Sequence, residues 1–518
     1  MPKRVLLANR GEIALRVQRS CRELGIETVA VYSEADRDAL HVRSADAAVP
    51  IGPGPATQSY LVIDNIIEAA KQTGADAVHP GYGFLSENPA FAEACEAAGI
   101  TFIGPPASAM QAMGDKVQAR RLMESAGVPV VPGAEDIDPE NVAHARAEAE
   151  RIGFPLLVKA ASGGGGRGIR IVESIDELED AMRVSGSEAA AAFGDATIFL
   201  EKYVSPARHV EVQVMADAHG NVRAFGEREC SIQRRRQKLI EEAPSVAVDE
   251  ALRARLCEVA ATAARSCGYR NAGTVEFLLG EDGEFYFLEM NARLQVEHPV
   301  TEFVYGVDLV ALQLAVADGE PIPEDAGLAQ PHGWAIEARI NAENAYANFA
   351  PSFGLVRRFE PPLGPGVRFD SMLYDGLDVP VFYDSLLGKL IVWAEDRPAA
   401  IERLRRALQD LLVAGIDTNA PFHLALLDHP DYVSGAVDTG WLEREFEMPP
   451  PPKGDPREVT ALIAAALAAG MGSGRSGSAN GAAGAPGRGW ALAGRSDALG
   501  ARVRHAEGRG WRSGIGSS

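Results

Sequence analysis

Apolar and polar positions alternate with two different periods along the first 115 residues. Apolar runs at 4–8 and 27–32 predict short strands, and apolar residues at helical spacing from 13 to 24 lie between them. Strand, helix and strand at this spacing indicate a βαβ unit, which implies a parallel sheet. This segment is therefore predicted to be a doubly wound α/β domain. Its further strands are predicted at 75–78 and 101–103, and its further helices at 60–73 and 89–98.

A glycine-rich loop lies between two predicted strands in the next segment. A helix is predicted at 115–132 with Lys116 in its first turn, and Lys159 lies near the end of a later strand. The loop, Ser-Gly-Gly-Gly-Gly-Arg-Gly at 162–168, follows, and a strand resumes at 169–172. Glycine lets backbone N–H groups approach phosphate oxygens. A P-loop is excluded, because no Gly-Lys-Ser/Thr follows and the next element is a strand. The loop is either a flexible linker or a phosphate lid, and the flanking strands favour the lid.

An acidic hairpin is predicted further along the chain. Its strands are at 273–279 and 285–288, and the turn Gly-Glu-Asp-Gly at 280–283 joins them. Pairing across this turn would bring Glu276 and Glu289 together. The run at 285–288 is predicted to be buried, because it is wholly apolar.

Polar residues then occupy every second position: Glu289, Asn291, Arg293, Gln295 and Glu297. In an extended backbone alternate side chains share one face. Two carboxylates and an amide oxygen are the hard oxygen ligands that suit Mg2+ held with nucleotide phosphates. The alternative is a solvated polar strand face, and the spacing alone leaves both open.

Other segments carry weaker signals. Strict alternation at 209–214 predicts a half-buried strand, in which His209 alone is more typical of a structural role. A basic cluster at 233–238 is either solvated surface or a site for bound anions. Proline, alanine and glycine dominate at 447–518, which is therefore predicted to be largely disordered. Later strands are predicted at 336–341 and 383–392, and a helix at 397–413.

Composition narrows the class of protein. The 518 residues are too many for one core, so several domains are expected. A formal net charge of −22 argues against general nucleic-acid binding. The five cysteines have no metal-type spacing, and no run approaches the roughly 18 apolar residues of a membrane span. These features predict a cytoplasmic protein with no membrane or nucleic-acid partner. The first strand lacks Gly-x-Gly-x-x-Gly, which disfavours an NAD-dependent enzyme.

The motifs together resemble those of biotin carboxylase, an ATP-grasp enzyme, over residues 3–446. This resemblance implies an α/β and α+β multidomain fold. A doubly wound parallel sheet at 1–114 precedes an ATP-grasp domain at 115–330, with its lid at about 131–204, and a mixed α/β domain follows at 331–446. The matching motifs lie at 7–14, 79–88, 163–168, 230–235, 289–299, 337–343 and 383–385.

The resemblance also implies an activity. ATP would phosphorylate bicarbonate, and the carboxyphosphate would yield CO2 to carboxylate N1' of biotin on a carrier domain. Charge developing on the biotin ureido oxygen needs a fixed cation, and planar bicarbonate suits a guanidinium fork. Nucleotide binding would fall to Lys116, Lys159, Gly164, Gly165, Gly166, Glu201, Lys202, Tyr203, Val204, His209, Gln233, Arg236 and Leu278. Mg2+ or Mn2+ would be held by Glu276, Glu289 and Asn291. Bicarbonate would be held by Lys238, Arg293, Gln295 and the Val296 backbone. Glu297 would be the general base, Arg339 would stabilise the biotin enolate, and Tyr82 would lie nearby.

The sequence departs from the family's motifs in two places, and the resemblance also implies partners. Arg236 stands where the family usually has His or Asn, which puts one nucleotide contact in doubt. The biotin acceptor motif Ala-Met-Lys-Met is absent, so biotin is expected on a separate carrier protein or domain. A carboxyltransferase subunit and a homodimer are also implied.

Two other functions fit the motifs less well. Another ATP-grasp ligase would not require Glu297 and Arg339 in these contexts. A catalytically silent subunit would be expected to lose site residues, yet all of those above are present.

Overall fold

The computed structural model describes residues 1–160, 170–193 and 196–451, and the elements below are those of the described residues. The N-terminal sheet is parallel throughout, in the order β3-β2-β1-β4-β5. This confirms the doubly wound prediction. The loops after β1 and β4 leave the sheet at the same carboxyl edge, where ligands bind in such folds. The elements are β1 Arg4–Leu7, α1 Gly11–Glu23, β2 Glu27–Ser33, α2 Leu40–Arg43, β3 Ala47–Gly52, α3 Ile63–Thr73, β4 Ala77–His79, α4 Pro89–Ala97, β5 Thr101–Phe102, α5 Ala107–Gly114 and α6 Lys116–Ser125.

Helix α6 is shorter than the predicted helix at 115–132. Asp115 caps it, because its side chain accepts hydrogen bonds from the N–H groups of Val117 and Gln118. The helix ends at Ser125, and Gly127 then takes a positive φ of 76°. A left-handed glycine just past the last turn is a usual helix stop.

A small antiparallel sheet with its own core follows. Its order is β6-β9-β7-β8, and the buried side chains of Leu156, Val158, Ile198 and Leu200 belong to a core cluster separate from those of the larger sheets. This sheet lies within the segment predicted to be the lid. Its elements are β6 Gly133–Ile137, α7 Val142–Ile152, β7 Leu156–Ala160, β8 Arg170–Val172, α8 Ile175–Phe193 and β9 Ile198–Lys202.

The remaining elements build the centre and the C-terminal part. The central elements are β10 Ala207–Ala216, β11 Val222–Arg234, β12 Gln237–Ala243, α9 Glu250–Ser266, β13 Asn271–Gly280, β14 Phe285–Asn291, α10 His298–Tyr305 and α11 Leu309–Ala317. The C-terminal strands are β15 Trp334–Asn341, β16 Glu343–Asn344, β17 Ala350–Pro351, β18 Gly354–Leu355, β19 Arg358–Glu360, β20 Val367–Ser371, β21 Asp378–Val379, β22 Leu386–Ala394 and β23 Leu412–Ala414. The C-terminal helices are α12 Arg397–Asp410, α13 Ala420–Leu427, α14 Pro430–Ser434 and α15 Trp441–Arg444.

One antiparallel sheet of the described chain carries most of the candidate chemistry. Its order is β14-β13-β10-β11-β12-β15-β22-β20, so strands from before and after residue 330 pair directly. Residues of β12, before residue 330, and of β15, after it, are therefore held in fixed register. The sheet can place side chains far apart in sequence on neighbouring strands.

Strand β10 is buried on both faces, so the half-buried prediction for 209–214 was wrong. Val210 and Val212 pack in one core cluster with helix α9, while Met215 packs in another with helix α10. Alternation here separates apolar from polar residues within the interior, not interior from solvent. Glu211 and Gln213 are accordingly fully buried.

Among the described residues, no single helix is long and apolar enough to cross a membrane. One bent pair, His298–Tyr305 with Leu309–Ala317, satisfies length and composition only when its two helices are joined, and they meet at 98°.

A buried ion pair fastens helix α12 to the central sheet. Nε of Arg397 lies 2.7 Å from Oε2 of Glu242 on β12, and Nη2 lies 3.0 Å from Oε1. Trp334 donates to the same carboxylate at 2.6 Å, and Arg397 also donates to two backbone carbonyls of α14.

We expect Arg397→Met to lower the free energy of unfolding by about 3–5 kcal/mol, because it leaves the Glu242 carboxylate buried without its cation. Urea denaturation of the full chain measures this. Arg357→Met, which removes an exposed arginine, is the control. A change below about 0.5 kcal/mol, the usual size for surface substitutions, would show that the pair does not hold the helix.

Candidate active site

A cavity of about 690 Å³ opens where the N-terminal loops meet the large sheet. Both polar and apolar side chains line it, and they come from the N-terminal, central and C-terminal parts of the chain. Of the residues predicted for the site, those on its wall are Tyr82, His209, Gln233, Arg236, Lys238, Glu276, Glu289, Asn291, Arg293, Gln295, Val296 and Arg339.

The acidic hairpin forms as predicted, with one irregularity. Glu276 on β13 is directly opposite Glu289 on β14, and Thr274 is opposite Asn291. The register shifts between Glu276 and Phe277, so Leu288 is left over as a bulge residue and is 39% exposed. The prediction that the whole run at 285–288 is buried was therefore wrong at Leu288, and Tyr286 is only half-buried. A bulge of this kind re-aims neighbouring side chains.

The extended face predicted from Glu289 to Glu297 ends early. Strand β14 stops at Asn291, and helix α10 begins at His298 with Pro299 in its first turn. Proline at this position favours a helix start. The chain therefore leaves the extended conformation between Asn291 and His298. Alternation was therefore the wrong reason for grouping these residues. The turn nevertheless brings Arg293, Gln295 and Val296 to the cavity wall.

Lys238 is the cation at the centre of the acidic groups. Its Nζ lies 2.6 Å from Glu211, 2.7 Å from Glu297 and 3.0 Å from Glu276. Burial lowers the pKa of Lys238, but the surrounding acidic groups outweigh burial and raise that pKa well above its ordinary value. The ammonium group is therefore charged at neutral pH.

Glu297 is fully buried behind the cavity wall and is held by two cations. Its second oxygen lies 3.1 Å from Nη2 of Arg339. Burial alone would raise the pKa of Glu297, but Lys238 and Arg339 bring it well below its ordinary value. The carboxylate is thus ionised, which is the form that a general base requires.

Arg339 is fixed at both ends. Its Nε donates to Glu241 at 2.6 Å, and its carbonyl oxygen accepts hydrogen bonds from Asn419 at 2.9 Å and lies 2.8 Å from Nε2 of His423. Burial raises the pKa of Glu241 to about 7, although Arg339 opposes that shift. The guanidinium therefore has little freedom to leave the cavity wall.

Arg293 contacts polar residues at the end of the acidic hairpin. It donates to Glu87 at 2.9 Å, to Gln295 at 3.0 Å and to Asn291 at 2.9 Å. Asn291 in turn donates to Glu276 at 2.9 Å. A planar cation therefore lies beside the acidic hairpin.

The acidic hairpin suits a divalent cation. Glu276, Glu289 and Asn291 supply carboxylate and amide oxygens to the same wall of the cavity, which is the hard ligand set of Mg2+. Both Glu276 oxygens already contact protein donors: Lys238 and Asn291 at one, and Nε2 of His209 at 3.0 Å from the other. Carboxylate oxygens have further lone pairs, so these contacts leave room for a metal bond.

Several predicted nucleotide ligands are not among the residues that line this cavity. Lys159 pairs with Glu201 at 2.7 Å on adjacent strands of the small sheet. Lys202 donates to the Phe154 carbonyl at 2.9 Å. Tyr203 and Val204 follow β9, and Leu278 is opposite His209 in the register of β13 with β10. Gly164, Gly165 and Gly166 lie outside the described residues, as does the Lys116 side chain.

The basic cluster at 233–238 lies at the tip of the β11–β12 hairpin. Arg235 and Arg236 form the turn with positive φ values of 50° and 65°, and both are exposed. Gln233 points inward and donates to Nδ1 of His209 at 2.7 Å. The solvated-surface interpretation is confirmed at the exposed tip. The anion site stays a prediction, for the residues of the cluster that line the cavity.

Sequence reasoning missed the buried acids beneath the site. Glu211 contacts Lys238 and, at 2.6 Å, Arg228, and both Glu211 and Arg228 are fully buried. Glu241 and Glu337 are also fully buried beside Arg339. The signal at Glu211 is a charged residue within a strand of valines, which the alternation predicts to lie on a solvated face.

Comparison with known proteins agrees with this geometry. The family model "Biotin carboxylase, N-terminal domain" matches residues 1–110, "Carbamoyl-phosphate synthase L chain, ATP binding domain" matches 115–325, and "Biotin carboxylase C-terminal domain" matches 337–444. Biotin carboxylase 1 of Bacillus subtilis is 52% identical over 444 residues, covering 86% of this chain and 98% of its own length. The chain belongs to the biotin carboxylase family.

Other members of the biotin carboxylase family extend the comparison. The propionyl-CoA carboxylase alpha chain of Ruegeria pomeroyi is 48% identical over 489 residues, covering 90% of this chain and 72% of that one. A Campylobacter jejuni biotin carboxylase solved as an ATP complex aligns with a TM-score of 0.78, 48% identity and coverage of 86% and 99%. The biotin carboxylase domain dimer of Hydrogenobacter thermophilus 2-oxoglutarate carboxylase was solved with MgADP, ADP and bicarbonate. It aligns with a TM-score of 0.76 and 45% identity, and the alignment covers 86% of this chain and 97% of that one. The predicted family and three-part fold are confirmed.

Removal of the central cation tests the electrostatics of this site. We expect Lys238→Met to lower the free energy of unfolding at pH 7 by about 3–5 kcal/mol, because Glu211 and Glu297 remain buried without it. The depressed pKa of Glu297 stabilises the native protein above the unfolded value of about 4.3, and this stabilisation is lost as the pH falls.

The variant's carboxylates take up protons at higher pH than those of the native protein, so the stability gap should narrow from pH 7 to pH 5. Urea unfolding at several pH values measures the gap, with the exposed Lys71→Met as control. A gap independent of pH would contradict this account.

Proposed function

We propose that this chain is a biotin carboxylase that uses ATP and bicarbonate to carboxylate biotin on a separate carrier. The observation that carries the proposal is the convergence of Lys238, Arg293 and Arg339 on one cavity, with ionised Glu297 between two of them. Such a group of cations binds a small oxyanion, and the carboxylate behind it can accept the proton of that anion.

Bicarbonate binding would also tune the base. A second anion placed among the cations competes with Glu297 for their charge, which raises the pKa of Glu297 from its depressed value. Proton transfer from bicarbonate to Glu297 then frees an oxygen lone pair for attack on the γ-phosphorus of ATP. The products of that step are ADP and carboxyphosphate.

Glu276, Glu289 and Asn291 would hold Mg2+ or Mn2+, which offsets the charge of the phosphates during transfer. Gln233 and His209 lie beside this acidic wall and line the same cavity. We assign the polyphosphate to this wall. Lys159 and Glu201 of the small sheet would contact the nucleotide when that sheet approaches the cavity.

Arg339 would act in the second step. Carboxyphosphate breaks down to CO2 and phosphate, the released phosphate accepts the N1' proton of biotin, and N1' then attacks CO2. Loss of that proton puts negative charge on the biotin ureido oxygen, where the half-buried Arg339 guanidinium, fixed by Glu241, can stabilise it.

The partners follow from this reaction. A biotin carrier protein or domain would deliver biotin, and a carboxyltransferase subunit would pass the carboxyl group to an acyl-CoA. We also propose a homodimer, because a relative of this fold was solved as a dimer of biotin carboxylase domains.

The first test is ADP release by the purified chain with ATP and Mg2+. We expect turnover to depend on bicarbonate and to be strongly stimulated by free biotin. ATP turnover that ignores biotin and bicarbonate would favour another ATP-grasp ligase. ATP binding without turnover would favour a silent subunit.

Arg339→Ala should separate the two steps. We expect biotin carboxylation to fall by at least a hundredfold, because the developing charge loses its fixed cation, while bicarbonate-dependent ATP cleavage falls far less. Labelled bicarbonate incorporation into biotin and ADP release measure the two rates. Arg357→Ala is the exposed control, and an equal loss of both rates would contradict the assignment.

Glu297→Gln should abolish both activities, because the amide keeps the shape of the carboxylate but cannot accept the bicarbonate proton. The same two assays measure this. Glu360→Gln, an exposed carboxylate, serves as the matched control. Retained ATP cleavage that still depends on bicarbonate would remove Glu297 as the base.

A further inference from the structure

A fully buried lysine lies beneath the site and has no part in the scheme above. Lys389 on β22 is 0% exposed, and its Nζ donates a hydrogen bond to the carbonyl oxygen of Val296. Oε1 of Glu12 lies 3.4 Å from the same Nζ. Burying an ammonium group is costly unless it is paired, so these contacts require an explanation.

The Val296 carbonyl belongs to the peptide that joins Val296 to Glu297. This peptide lies in the turn between the end of β14 and the start of α10, where neither a sheet nor a helix ladder sets its orientation. A strong donor on its carbonyl fixes the peptide plane, and the plane fixes the Cα from which the Glu297 side chain projects. Lys389 thus acts on Glu297 through the backbone.

The other contact of Lys389 leads to the opposite wall of the cavity. Glu12, in the first turn of α1, accepts a hydrogen bond from the Tyr82 hydroxyl, and Lys389 Nζ lies 5.9 Å from the centre of the Tyr82 ring. Asn9 holds the Tyr82 loop by donating to the carbonyls of Pro80 and Tyr82 at 2.7 Å each. Tyr82 and Val296 both line the cavity.

We propose that Lys389 is a positioning residue that holds the Val296–Glu297 peptide in its reactive orientation and, through Glu12, fixes that peptide relative to Tyr82. This proposal rests on the proposed function, because it assigns a support to the base of that reaction. One buried ammonium group then links the bicarbonate side of the cavity to the wall that carries Tyr82.

Neighbouring charges do not provide this link by themselves. Asp370 is opposite Lys389 in the register of β20 with β22, but its carboxylate is already paired with Arg368 and Arg19. Glu337 on β15 is fully buried, and neither of its side-chain oxygens has a hydrogen-bond partner among the described residues. Among the described residues, only Lys389 joins Val296 to Glu12 by direct contacts.

The test compares Lys389→Met with the double variant Lys389→Met/Glu12→Gln in the full chain. Lys389→Met leaves Glu12 buried without its cation and can lose stability for that reason alone. The double variant removes both charges, so it should recover the stability but not the positioning. Arg397→Met is the matched control, since it also removes a buried cation that pairs with a carboxylate and donates to backbone carbonyls.

The readouts are urea unfolding together with kcat and the KM values for ATP and bicarbonate in bicarbonate-dependent ADP release. In both Lys389 variants we expect kcat to fall by on the order of a hundredfold, as for a misplaced catalytic group, with KM for ATP within about twofold of the native value. Arg397→Met should lose stability and keep the kcat of the folded enzyme.

Three outcomes would overturn the proposal: a native kcat in the double variant, a kcat loss that Arg397→Met reproduces, or a KM for ATP that rises with the loss. Failure of the proposed function is distinct, because the native enzyme itself would then show no bicarbonate-dependent ADP release.

Discussion

The structure of this site depends on the largely buried ammonium group of Lys238 among three carboxylates. Glu211, Glu276 and Glu297 come from β10, β13 and the turn before α10, and their mutual repulsion would separate them without a cation. Carboxylates brought this close normally share protons, because like charges raise each other's pKa. Lys238 allows Glu276 and Glu297 to remain ionised inside the protein, where one can bind a metal and the other can accept a proton.

The large sheet makes this arrangement possible. Strand β12 pairs with β11 on one side and with β15 on the other, so Lys238 and Arg339 approach Glu297 from neighbouring strands of a rigid element. Catalytic groups on paired strands keep their distances better than groups on loops. The turn that carries Glu297 is the exception, and it therefore needs support from outside its own segment.

Sequence patterns predicted the parts that depend on local chemistry. The Gly-Glu-Asp-Gly turn and its flanking apolar runs correctly predicted the hairpin, because turn length sets the pairs next to the turn. That register alone would put Glu276 opposite Leu288, and it is the bulge at Leu288 that brings Glu289 opposite Glu276. The same patterns failed at Leu288 and after Asn291, since a bulge and a helix start depend on tertiary packing. Glu211 was also overlooked: alternation shows that two faces differ, but it does not show whether the polar face meets water or a buried Arg228.

The family resemblance identified more of the site residues than periodicity did, but it did not identify the residues that support them. Motifs name residues that touch ligands, whereas Nζ of Lys389 contacts a backbone carbonyl, a carboxylate and the face of a tyrosine ring. Within its strand, Lys389 interrupts an apolar run in the same way that Glu211 interrupts the valines of β10. A charged residue within such a run is costly to bury, so it persists where another buried group requires it. In this protein those groups are the Lys238 ammonium for Glu211 and the peptide before Glu297 for Lys389.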